Sequence, residues 1–288
     1  MPITGSVPGT VAAVGRRGVV AINEGASGVP LFLPFALGGH ISGHELAGVV
    51  PNPMFGLVPP GGVDAGDMAA LATALADVIE SVQPPGPYAL AGYSFAGMLA
   101  YELAGVLTAR GRPPAALVVI DVGPSRAWTS RGALRTVLLG LGNVPRWLLD
   151  AFRSLSMADL ARLAARKTRA VASAAAIKVG LMAPRGEAVR FESMYGDLTM
   201  PAAHRLEIEA HLRALMTQPP RRYGGPLTLI RANVRPLQHS FEPDLGWRAV
   251  VDGPVEVVRV AANHTTIMQP PHLTTVGRVI AERLERVG

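Results

Sequence analysis

Pro87-Tyr88-Ala89-Leu90-Ala91-Gly92-Tyr93-Ser94-Phe95-Ala96-Gly97 is the stretch from which the rest of the chain can be read. Tyr88–Gly92 is a short apolar run without alternation, the pattern of a strand buried on both faces. Phe95–Ala109 follows as an apolar run of helical length. Ser94 therefore falls where a strand turns directly into a helix. A serine at such a turn carries its hydroxyl out over the end of the sheet, and the turn is tight enough that the residues two before and two after must be small. Here they are Gly92 and Ala96. The helix start also favours negative charge developing beside the serine. A bare G-x-S-x-[GA] match is common by chance, and its place on a strand–turn–helix gives it weight. The plainer reading is a serine capping a helix in an ordinary βαβ unit.

The same rhythm extends outward. Val29–Phe35 and Met54–Val58 read as buried strands, Ala116–Asp121, Leu227–Arg231 and Val255–Val260 as strands, and Ala69–Val82 and Leu273–Arg286 as helices. Apolar strands separated by helices predict an α/β fold whose mostly parallel sheet is covered on both faces. Residues 125–200 break the rhythm with helices at Arg131–Leu141, Pro145–Ser154 and Ala158–Lys178 and no strand between them. The expected organisation is a leader or linker over 1–28 with one strand at Gly18–Ile22, a core built from 29–124 and 201–288, and a helical lid inserted at 125–200.

A chain of 288 residues suits one α/β domain with an insertion. It contains no cysteine, which removes disulfides, thiolate metal sites and a cysteine nucleophile together. The opening MPITGSVPGT has neither a charged start nor an apolar stretch behind it, so no secretory leader is expected. No window approaches the length of a membrane span, and a cytoplasmic location is expected. Net charge is +6, concentrated in 125–200, where 12 Lys and Arg face five Asp and Glu. No aromatic residues interleave with those arginines in the manner of a nucleic-acid surface, so nucleic acid is not an expected partner.

A serine needs a base, usually a histidine held by a carboxylate. His264 directly follows Val255–Val260 and precedes the last helix, which places it at the end of the sheet; His272 and His239 are its rivals. Asp121 ends Ala116–Asp121, one helix, a turn and one strand after Ser94, on the same sheet edge. Glu242 and Asp244 follow a later strand, and spacing alone leaves all three acids open.

GPYALAGYSFAGMLAYELAGVLTARGRPPAALVVIDVGP resembles the thioesterase domains that end nonribosomal peptide and polyketide synthases. Upstream, VPLFLPFALGG is similar to the family's Pro-Leu-Phe strand and oxyanion loop. Downstream, GGPLTLIRA, DLGW and VEVVRVAANHTTIM resemble its closing strands and histidine loop. The resemblance runs from about Pro30 to Arg286 and is weakest in 125–200.

The resemblance implies an α/β-hydrolase fold with a helical lid. It implies Ser94 as nucleophile, His264 as base and Asp121, ahead of Asp244, as orienting acid. Oxyanion donors would be the backbone N–H of Phe95 and of Ala36, with Leu37 next. It implies a chain delivered as a thioester on the phosphopantetheine arm of an acyl or peptidyl carrier domain, released by hydrolysis or cyclisation, with no metal or cofactor in the protein itself. Ala96 stands where the family usually has Gly, and Pro34-Phe35 replaces its more frequent His-Pro. FALGGHIS is similar to the phosphopantetheine site of carrier domains, but Ile41 breaks that pattern, and it reads as the oxyanion loop. Competing readings are a free-standing editing thioesterase, a general serine esterase and a catalytically dead hydrolase fold that only binds.

Overall fold

A computed structural model describes residues 18–23, 25–35, 40–124, 202–234 and 242–288. The described strands are β1 (Val19–Ala21), β2 (Leu31–Pro34), β3 (Met54–Leu57), β4 (Ala89–Tyr93), β5 (Ala116–Ile120), β6 (Leu227–Ala232) and β7 (Val255–Val260). The described helices are α1 (His40–Ala47), α2 (Met68–Val82), α3 (Phe95–Ala109), α4 (Ala202–Thr217) and α5 (His272–Glu285).

The strands form one sheet in the order β1-β3-β2-β4-β5-β6-β7. Only β1 is antiparallel to its neighbour; the other pairings are parallel. Parallel strands need covered faces, and two apolar clusters supply the cover. One packs α2 and α3 on the first face, with Leu71, Leu75, Ile79, Leu99, Leu103 and Trp247 at its centre. The other packs α1 and α5 on the second face, with Leu46, Ile267, Val276 and Ile280.

Each helix follows from its sequence. Asp67 caps α2 by accepting a hydrogen bond from the Ala70 N–H at 3.0 Å, and Met68, Leu71, Ala72, Leu75, Ala76 and Ile79 line its buried stripe. α3 is buried from Phe95 and Gly97 through Leu107, because the sheet, α2 and α4 all pack against it. Its lack of a polar face is the mark of that central position. α5 buries Leu273, Val276, Val279, Ile280 and Leu284 along one stripe.

The α/β reading holds, with corrections at the edges. The strand expected at Gly18–Ile22 forms as Val19–Ala21, and it pairs with Leu57, Gly56 and Phe55 at the edge of the sheet. The segment His40–Ala47 was given no element, and it forms α1. β4 runs one residue further than Tyr88–Gly92, and β5 stops one residue short of Asp121. The lid assigned to 125–200 and residues 1–17 of the leader lie outside the described residues. Among the described residues no helix is long and apolar enough to cross a membrane.

Candidate active site

β4 delivers Ser94 to the carboxyl end of the sheet, and α3 begins at the next residue. The turn between them is forced. Ser94 has φ 55° and ψ −129°, outside the regions a side chain prefers. Its N–H donates to the Ile120 carbonyl at 3.0 Å, and its own carbonyl accepts from the Gly97 N–H at 2.9 Å. A Cβ on Gly92 would stand 2.2 Å from the Ala96 carbonyl oxygen. The turn is therefore closed to any side chain at that position, as the small-residue spacing predicted.

Asp121 lies one residue beyond β5, again with a left-handed backbone, φ 49°. Its carboxylate is buried, and its two oxygens have separate partners. Oδ1 accepts the Ala232 N–H at 2.7 Å, and Oδ2 lies 2.8 Å from His264 Nδ1. Since a carboxylate only accepts, Nδ1 is the donor. The other ring nitrogen, Nε2, lies 3.2 Å from Ser94 Oγ. Three residues far apart in the chain thus form one hydrogen-bonded line.

The loop carrying His264 is built by its neighbours. Asn263 Oδ1 accepts from the N–H groups of Thr265 and Thr266 at 3.0 and 2.9 Å, an Asx turn that fixes the chain just after the histidine. Tyr93 donates its hydroxyl to the His264 carbonyl at 2.6 Å. On the far side, Trp247 Nε1 donates to the Val122 carbonyl at 2.8 Å and steadies the segment leaving Asp121.

The sequence model of the Thioesterase domain family matches residues 30–284. This chain belongs to the thioesterase domain family.

The thioesterase domain is 24% identical over 220 residues to a probable non-canonical nonribosomal peptide synthetase, CymA, of Salinispora arenicola, covering 73% of this chain and 2% of that protein. It is 31% identical over 131 residues to the chondramide synthase of Chondromyces crocatus, covering 40% of this chain and 3% of that protein. The chain thus spans a few hundredths of these relatives' length. Among solved structures it resembles the NocB thioesterase domain from the nocardicin cluster, with TM-score 0.56, 20% identity, and 93% and 98% of the two chains covered. It also resembles the Vlm2 thioesterase domain bound with a dodecadepsipeptide, with TM-score 0.54, 18% identity, and 92% and 97% covered. The shared architecture is the α/β-hydrolase fold.

In this thioesterase domain the rival Asp244 has another occupation. Asp244 is buried, and its oxygens accept the N–H groups of Gly246 at 3.2 Å and Arg248 at 2.9 Å, which makes it the clamp of the turn before Trp247. Of the rival histidines, His272 starts α5 and His239 lies outside the described residues. The Phe95 N–H is the first amide of α3, where no carbonyl within the helix can receive it. Ala36 and Leu37 lie outside the described residues. Among the described residues no three His, Asp or Glu side chains gather as metal ligands.

Sequence reasoning missed Tyr93, Asn263 and the Ala232 amide. Asn263 was visible in principle, since Asn-x-x-Thr is an Asx-turn pattern. The Ala232 amide was not, because backbone donors leave no mark in a sequence.

Proposed function

We propose that this chain is a serine thioesterase that releases an acyl or peptidyl chain from the phosphopantetheine thioester of a carrier domain, through an ester on Ser94. The observation that carries the proposal is the line Asp121 Oδ2–His264 Nδ1–His264 Nε2–Ser94 Oγ, at 2.8 and 3.2 Å. Asp121 accepts the hydrogen bond that Nδ1–H donates, so the lone pair of neutral His264 is on Nε2, facing the serine hydroxyl.

Ser94 Oγ attacks the thioester carbonyl as its proton passes to Nε2. The oxygen of the tetrahedral intermediate develops its charge beside the Phe95 N–H at the start of α3, where the helix dipole favours it. Losing one such donor typically costs about 2.7–4 kcal/mol of barrier. Collapse expels the pantetheine sulfur, which takes the proton from His264, and leaves the Ser94 ester. His264 then accepts a proton from water, or from a hydroxyl or amine of the bound chain, as that group attacks the ester. Ser94 is regenerated and an acid or a ring leaves. Asp121 is buried, so its charge holds the imidazole in one tautomer and favours the imidazolium formed at each step.

The relatives' names support a carrier-bound substrate, because peptide and polyketide synthases carry their chains as thioesters. The test is turnover of an acyl group loaded on a carrier domain against the same acyl group as a free small oxygen ester. The proposal expects Ser94-dependent release with strong preference for the carrier. Efficient cleavage of the small ester with no release from the carrier would make the chain a general esterase instead.

A further inference from the structure

We propose that Tyr93, the residue before the nucleophile, is a positioning residue for His264. The inference rests on the reading of Ser94 and His264 given above. Tyr93 meets the histidine in two ways. Its hydroxyl donates to the His264 backbone carbonyl at 2.6 Å, and its ring lies over the imidazole with centroids 5.0 Å apart and planes 30° from parallel.

The elements around these contacts explain their value. Tyr93 is the last residue of β4, and its backbone is paired with Ile120 of β5. Its neighbours in the chain and across the ladder are therefore Ser94 and the residue preceding Asp121. His264 by contrast sits in the connection between β7 and α5, held from below by the Asx turn of Asn263. That turn fixes the amides after His264 and leaves the His264 carbonyl to be held by something else. The tyrosine hydroxyl takes that carbonyl. The strand that delivers the nucleophile thus also carries the tether of the base, so that a shift of one is followed by the other across a 3.2 Å gap.

The ring adds a second effect. An imidazole over an aromatic face is held in plane by offset stacking, and a face within about 6 Å attracts a cation. The imidazolium that forms when Ser94 gives up its proton is such a cation. A residue that served only to pack against the apolar cluster on this face of the sheet would need the ring and no hydroxyl.

The test is Tyr93→Phe, which keeps the ring and deletes the hydroxyl. Three readings are taken on the purified chain: the fluorophosphonate labelling rate of Ser94, kcat and KM on a soluble acyl thioester, and the low-field proton resonance of His264 Nδ1. The expected result is about a tenfold fall in labelling and kcat, the size of one net hydrogen bond, with KM unchanged. The Nδ1 resonance should move while the melting temperature stays close to that of the unaltered protein. A variant that labels at the original rate would overturn the proposal. So would a slower variant whose Nδ1 resonance is unmoved, since the loss would then arise elsewhere; this reading holds for whatever fraction is folded. Labelling of Ser94→Ala as fast as the unaltered protein would instead sink the nucleophile reading, whatever Tyr93→Phe had done.

Discussion

Ser94 and Asp121 each stand one residue past the end of adjacent parallel strands, and both hold left-handed backbones, φ 55° and 49°. Among the described residues Leu245 is the one other non-glycine with positive φ. Such conformations cost on the order of 1–3 kcal/mol and persist where the surroundings impose them. Here the two turns aim an alcohol and a carboxylate at the same imidazole from neighbouring strands. Leu245 belongs to the same construction, because its carbonyl and Cβ pack against Gly123, where an added Cβ would approach to 2.5 Å.

Asp121→Asn should lower the fluorophosphonate labelling rate by about 10⁴, since an amide in that place favours the wrong imidazole tautomer. Asp244→Asn should label at nearly the original rate and cost about 1 kcal/mol of stability, through weaker hydrogen bonds to Gly246 and Arg248. Labelling kinetics beside urea denaturation separates the two. The opposite ranking would move the acid to Asp244.

Gly92→Ala should destabilise the protein by about 1–3 kcal/mol or more and slow labelling with it. The new methyl would meet backbone atoms of Ala96 and Gly97 at 2.2–2.7 Å, and backbone cannot rotate aside. A Gly92→Ala protein of unchanged melting temperature and reactivity would mean that the turn is looser than described.

His211 makes stability depend on pH. It is buried in α4, stacked on Phe95 with ring centroids 4.1 Å apart, and its Nδ1 has no hydrogen-bond partner among the described residues. Burial lowers its pKa from 6.5 to about 4. Between those values the unfolded chain binds a proton that the folded one refuses, so stability is full above pH 6.5 and falls as pH drops toward 4. His211→Phe keeps the stack and removes the titration. Denaturation from pH 7 to 4 should show a shallower loss for this variant, and equal slopes would show that His211 is not the source.

The sequence made the centre of the sheet legible because β2, β4 and β5 are buried on both faces and stand out as apolar runs. Ser94 was legible because its turn needs small residues at fixed spacing, and His264 because it follows the last valine-rich strand and precedes the closing helix. β1 was harder to bound, being three residues at a sheet edge in a segment rich in Gly, Ala and Ser. α1 was missed because His40–Ala47 has polar residues and a glycine where a helix would show an apolar stripe. Asp121 against Asp244 could not be decided from spacing, since both follow strands. The difference lies in which amides fill their oxygens. Tyr93 was quoted inside the motif and passed over, because a long-range tether to a carbonyl beyond β7 has no local signature.

The central claim is that Ser94 carries the acyl group, and intact-mass analysis after fluorophosphonate treatment tests it most directly. The account predicts a single adduct on the unaltered protein, mapped by peptide fragmentation to Ser94, and no adduct on Ser94→Ala of equal melting temperature. An adduct of the same mass and rate on Ser94→Ala, or one mapped to any other residue, would contradict it.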